Sequence, residues 1–158
     1  MNSNPAVRSI AILGLAAALC TASGCRSFEK DWAAAAKFPV NAGDPLTGRW
    51  IGTWQNTNNA HGGALRAIVP PASASSTTKR TVRYHAVWGS HNGSFTSPLK
   101  VETLGDGVHF TGSKWILGFQ IKTEGEARNG QFNATYQSAF DNGIFTLHRV
   151  PAGDSNSK

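Results

Sequence analysis

The sequence predicts an all-β fold, a small antiparallel up-and-down barrel of about eight strands, and three observations predict it. Between Leu46 and Val150 short segments repeat apolar side chains at every second position, the period of a strand with one buried face. Gly, Asn, Asp and Pro residues punctuate this stretch at short intervals, as tight turns require. Sequential strands joined by such turns form a meander, and a meander that closes on itself leaves no exposed edge. A β-sandwich built from the same strands is the alternative architecture.

The elements follow in order. Residues 26–45, RSFEKDWAAAAKFPVNAGDP, form a tether with one helical piece. Ser27 caps it, Glu29 sits favourably in its first turn and Pro39 ends it. Phe28, Trp32, Ala35 and Ala36 make one apolar face. That face either lies on a membrane or folds back over the end of the barrel, and its short, mixed-charge polar side favours the second. The first strand, TGRWIGTW (47–54), aligns Trp50, Gly52 and Trp54. ALRAIV (64–69) aligns Leu65, Ala67 and Val69, and the polar loop PPASASSTTK (70–79) follows. RTVRYHAVW (80–88) sets Val82, Tyr84, Ala86 and Trp88 against Arg83 and His85. In SFTSPLKVETL (94–104), Pro98 marks an edge or a bulge. Gly105-Asp106-Gly107 turns into VHFTG (108–112). WILGFQI (115–121) reads as a strand buried on both faces and EGEARNG (124–130) as a turn. QFNATYQS, with Phe132, Ala134 and Tyr136, and IFTLHR (144–149) complete the set. The tail from 151 to 158 reads as frayed.

Both cysteines, Cys20 and Cys25, precede this domain. MNSNPAVR carries one basic side chain, Arg8; the apolar run IAILGLAAALC (10–20) and the small residues TASG follow. These are the parts of a secretory signal, and the run is shorter than the ~20 residues of a membrane-spanning helix. Ala22-Ser23-Gly24-Cys25 resembles the lipobox of bacterial lipoproteins. That resemblance implies removal of residues 1–24 and acylation of Cys25, with palmitate or similar chains holding the protein on a membrane. Arg26, in place of aspartate, implies the bacterial outer membrane, facing either the periplasm or the outside. An ordinary signal peptide cut after Gly24 is the alternative. Either way the mature domain has no pair of cysteines to join.

The net charge of +6 becomes +5 once Arg8 is removed with the signal. Arg26 and Lys30 lie beside the proposed anchor, and Lys79, Arg80 and Arg83 form the one other basic cluster. The remaining basic residues are scattered, which together with export argues against nucleic acid and for solvated surface. A monomer is expected, with no protein partner identifiable.

Two pieces at opposite ends of the domain resemble the calycin group of lipocalins, fatty-acid-binding proteins and avidins. Gly48-Arg49-Trp50 is similar to the Gly-x-Trp that opens their first strand, and Arg149 stands where a basic residue packs across that tryptophan. The resemblance implies that Trp50 and Arg149 close the base of the barrel. It also implies a small hydrophobic ligand inside.

An eight-stranded interior is just wide enough to be filled by side chains or to hold one small molecule. The many inward rings favour filling, while Gly52, Ala67, Ala86 and Ala134 leave room for a cleft. A ligand would lie against Trp54, Tyr84, Trp88 and Tyr136, its polar end fixed by the two phenols. A cavity along the inward face points to a carrier. A filled core with an exposed apolar patch at HNGSFTSP (91–98) or around Trp115-Ile116-Leu117 points to a structural or interaction module. Catalysis has no visible grouping: Glu124 and Glu126 fall in a predicted turn, and no Gly-x-Ser-x-Gly elbow occurs. No metal ligand pair or cofactor motif stands out; His109 and His148 meet only if their strands adjoin. The expectation is a non-enzymatic protein, with an enzyme or protease inhibitor working through its loops as the least favoured reading.

Overall fold

Alternating apolar residues must bury one face of each strand, and here all eight strands turn that face into one shared core. The computed structural model describes residues 21–39, 43–116 and 118–154, with backbone alone for 21–26. Eight strands run β1 (Gly48–Asn56), β2 (Gly62–Val69), β3 (Lys79–Trp88), β4 (His91–Leu104), β5 (Gly107–Ile116), β6 (Phe119–Arg128), β7 (Gln131–Gln137) and β8 (Asn142–Arg149). Each pairs antiparallel with its sequence neighbours, and β8 pairs back with β1, so the barrel is closed. The sandwich alternative is thereby set aside. Among the described residues one helix, α1 (Thr21–Ala35), precedes the barrel.

Two strand boundaries differ from the sequence reading. WILGFQI is not one strand: Trp115 and Ile116 end β5, Gly118 turns at φ +87°, and Phe119 opens β6. EGEARNG is not a turn either. Glu124 to Arg128 continue β6, and the reversal falls on Asn129 and Gly130, both with positive φ. An Asn-Gly pair in left-handed conformation is the favoured two-residue hairpin turn. Glu124 and Glu126 therefore stand on the outer face of a strand.

Pro98 pairs with Thr81 of β3 on one side, and pairing of β4 with β5 starts only at Leu99↔Gly112. The residue without an N–H thus sits where no second partner asks for one. Strands also approach closely where side chains vanish: a Cβ on Gly63 would lie 1.7 Å from the Val87 carbonyl oxygen.

The helix starts at Thr21, before the expected cap at Ser27. Ser27 instead accepts a hydrogen bond from Arg83 (Nη2 to Oγ, 3.1 Å). Beyond Ala35 the chain tightens into i to i+3 bonds before Pro39. The apolar face of α1 packs on the outer wall of the barrel rather than over its end. Phe28, Trp32 and Ala35 are buried there with Ile68 and Val150. Residues 1–20, including the apolar run and Cys20, lie outside the described residues, as do Val40–Ala42, Leu117 and the last four residues of the tail.

Candidate functional site

Four regions of the barrel bear on function: the base, the interior, the opposite rim, and the wall under α1. At the base, β1 opens and β8 ends. The Arg149 guanidinium lies 4.7 Å from the centroid of the Trp50 ring. Trp50 is fully buried and donates its indole N–H to the Leu46 carbonyl at 3.0 Å. Arg149 also donates to the Pro45 carbonyl, which ties the chain before β1 to the end of β8. A guanidinium on an indole contributes ~0.5–2 kcal/mol. Beside it, Asp44 accepts from both Thr47 N–H (3.2 Å) and Arg80 Nη1 (3.0 Å), and Arg80 reaches on to Thr47 Oγ1 at 2.7 Å. Burial pushes the Asp44 carboxyl up, but the Thr47 and Arg80 hydrogen bonds and the Arg80 charge outweigh it and hold it below 3.8. These contacts lock the base.

The interior is occupied. Trp50 touches Phe132 (ring centroids 5.5 Å apart), which touches Phe110 (4.6 Å). Toward the other end Tyr84 meets Phe95 (5.1 Å) and Phe145 (5.5 Å), and Phe145 stacks on Tyr136 (5.0 Å). Trp54 is the cross-strand partner of Phe145. Three of the four residues expected to line a ligand cleft, Trp54, Tyr84 and Tyr136, therefore surround a phenylalanine instead. Nor does the small inward position at Gly52 open space. A Cβ on Gly52 would lie 2.1 Å from the Thr146 carbonyl oxygen, so the missing side chain admits the backbone of β8.

The two phenols differ. Tyr136 donates to Asp141 at 3.3 Å, whereas the Tyr84 hydroxyl, fully buried, has no hydrogen-bond partner among the described residues. Burial raises both phenol pKa values, and Asp141 adds to the rise at Tyr136. Trp54 donates to the Val87 carbonyl at 3.2 Å. Trp88 is not part of this group: it stands at the end of β3, 42 % exposed and stacked on His91.

The rim opposite the base carries the β1–β2, β3–β4, β5–β6 and β7–β8 turns. Among the described residues, the large apolar side chains that stay exposed are Trp88, Leu104, Trp115, Phe140 and Ile144. Leu104 belongs to the base end; the other four are at or next to the rim. Trp115 is 66 % and Phe140 84 % exposed, and Phe140 meets Phe119 edge-on at 5.9 Å. The segment 91–98 carries no comparable patch, because Phe95 turns inward against Tyr84.

Under α1 the wall is basic and aromatic at once. Arg66 lies over both Phe28 (5.0 Å) and Trp32 (5.1 Å), Arg49 over Trp32 (5.1 Å) and Arg83 over Phe28 (5.7 Å). Glu29 pairs with Arg66, and Asp31 pairs with Arg83. His85 stacks on Phe28 at 4.9 Å and bonds Ser94 through Nδ1 at 2.8 Å. Burial and the Arg66 charge hold the His85 pKa below 6.5; Glu29 opposes this and Arg83 adds to it. Neither the cation–aromatic seat nor His85's burial was read from the sequence. The signal was there in the outward arginines of three successive strands and the Phe28-Trp32 spacing.

His109 and His148 stay apart, since β6 and β7 separate their strands; His109 bonds Glu124 at 3.1 Å instead. Among the described residues no three His, Cys, Asp or Glu side chains converge as a metal site. No helix of the described residues is long and apolar enough to cross a membrane. The side chain of Cys25, the expected lipidation site, lies outside the described residues, though its backbone belongs to α1. Comparison with protein-family models, curated proteins and solved structures finds no match to this chain.

Proposed function

We propose that this chain is an exported lipoprotein, acylated at Cys25, whose barrel is a non-enzymatic structural or interaction module that acts through its surface. The observation that carries the second half is the occupied interior. Phe145 fills the space between Trp54, Tyr84 and Tyr136 where a carried molecule would sit. The exposed Trp115 and Phe140 give the surface something to act with. The first half rests on the lipobox-like sequence at Cys25.

A second reading, a lipocalin-like carrier of a small hydrophobic molecule, has one observation in its favour. The Tyr84 hydroxyl is buried without a partner among the described residues, and a buried hydroxyl left unbonded costs ~1–3 kcal/mol. A ligand's polar atom would satisfy it. The experiment is a mass spectrum of the protein from its native membrane, first denatured and then native. The denatured spectrum reads the anchor: a chain beginning at Cys25 with added acyl mass supports it. The native spectrum, taken after incubation with a membrane lipid extract, reads the interior. A module gives the mass of the acylated chain alone; mass that stays with the fold and leaves on unfolding makes it a carrier.

A further inference from the structure

We infer that the aromatic rim is a lipid-docking surface: the barrel stands rim-down on the bilayer, with Trp88, Trp115 and Phe140 in its interface. This deepens the proposed function and rests on it for the anchor, but the rim itself is argued from independent observations.

The first is the direction of α1. Its N-terminal half contacts the middle of the wall, at Arg66, Arg83 and His85, well above the base. Phe28 stacks on His85, three residues short of the end of β3. Its C-terminal end lies toward the base, where the Ala36 carbonyl accepts from Gly153 N–H at 3.4 Å. The chain that leads to any membrane attachment therefore leaves α1 on the rim side. Cys25 lies three residues before Phe28 in the same helix, about 4.5 Å along its axis. Phe28, clamped between Arg66 and Arg83, allows no long tether that would let the barrel turn over.

The second observation is the contrast between the two ends. The base gathers Asp44, Arg80, Asp106, Arg128, Arg149 and Asp154, with Arg80–Asp44 and Arg128–Asp106 paired at 3.0 Å. That end is built for water. The rim segments 55–63, 86–94, 113–122 and 137–144 hold only three charged side chains, Lys114, Lys122 and Asp141. Asp141 already accepts from Asn56 and Tyr136. What remains, unpaired among the described residues, is Lys114, next in the chain to exposed Trp115, and Lys122, which lies near both Trp115 and Phe140. Tryptophan favours the headgroup region, phenylalanine inserts at the boundary with the acyl chains, and lysines reach past them to anionic headgroups. A protein partner of opposite charge would find little to pair with here.

The test uses the full chain purified from its native membrane, with its acyl mass measured first, in vesicles of phosphatidylethanolamine and phosphatidylglycerol carrying brominated acyl chains. Bromine quenches tryptophan only at contact. The expected result is quenching of part of the fluorescence, with Trp115→Phe removing a quenched component. In the double variant Trp115→Ser/Phe140→Ser most of the quenching is lost, and Leu104→Ser at the opposite end leaves it unchanged. These positions are exposed, so near-ultraviolet circular dichroism should show the variants folded. An acylated chain whose tryptophans are unquenched, or whose rim is covered by a co-purifying protein, overturns the inference. Should the mass show no acyl group, the anchor reading fails and the rim is judged alone by sedimentation with the same vesicles. Pelleting weakened about tenfold by the double variant supports the rim. A wild-type chain that stays in the supernatant overturns it.

Discussion

Replacing Phe145 by alanine should convert the barrel from a filled module into a small receptor. The ring is 7 % exposed, stacks on Tyr136 at 5.0 Å, meets Tyr84 at 5.5 Å and has Trp54 and Ala134 as cross-strand partners. Removing a buried Phe ring costs ~3–5 kcal/mol, the transfer of the ring plus the cavity it leaves. Two aromatic contacts worth ~0.5–1.5 kcal/mol each place this site in the upper half of that range. A loss of about 4 kcal/mol is a large share of the ~5–15 kcal/mol that holds a domain together. In a domain of this size it lowers the melting temperature by about 15–30 °C. The assay is urea denaturation of wild type and variant under one set of conditions, with and without saturating benzene. The variant should regain part of its stability with benzene, because a dry apolar cavity takes up such a molecule, and wild type should not respond. A loss under about 1 kcal/mol, or a wild type that benzene stabilises as much as the variant, would refute the reasoning.

Three further predictions concern the rest of the molecule. Trp32→Ala removes the ring that lies under Arg49 and Arg66, and should cost about 3 kcal/mol and open α1 to limited proteolysis while the barrel stays intact. Because the His85 pKa is held below 6.5 in the folded state, the unfolded chain binds more protons once the pH falls below that value. Stability should therefore drop as the pH falls below about 6.5, and His85→Gln should flatten a plot of unfolding free energy against pH in that window. Asp44 works in the acid range: its lowered pKa contributes stability above 3.8 that is lost as the pH falls through the folded value. Asp44→Ala should cost about 2 kcal/mol in denaturant titration, less than the ~3–5 kcal/mol of a fully buried pair, since the carboxylate keeps 19 % exposure.

The fold was legible because its signal is local. Period-two alternation in RTVRYHAVW and QFNATYQS fixes which side chains face inward, and Asp-Gly and Asn-Gly steps place reversals. Where the reading slipped, two local signals competed. WILGFQI is apolar enough for a buried strand, but Gly118 at φ +87° breaks it at the hairpin tip, and Trp115 stands exposed at the rim rather than buried. In EGEARNG the first glycine, Gly125, drew the turn too early. Gly125 lies inside β6, where a Cβ would stand 2.3 Å from the Asn133 carbonyl oxygen. The candidate site was less legible. Alternation placed Tyr84 and Tyr136 inward but said nothing of how far Phe145 reaches between them. Trp88 shares their parity, yet it stands at the strand end, where inward becomes rim. The docking of α1 depends on Arg49 and Arg83 flanking Ile68 in register, with Arg66 one outward position nearer the rim, an arrangement set by strand pairing and not by any local sequence signal.

The central claim is that side chains, not a ligand, fill this barrel, and a crystal under xenon pressure tests it most directly. Xenon enters dry apolar cavities of benzene size. No xenon should enter between Trp54, Tyr84, Tyr136 and Phe145 in the wild-type protein, and one well-occupied site should appear there in Phe145→Ala. Xenon in the wild-type interior would contradict the claim and return the barrel to the carriers.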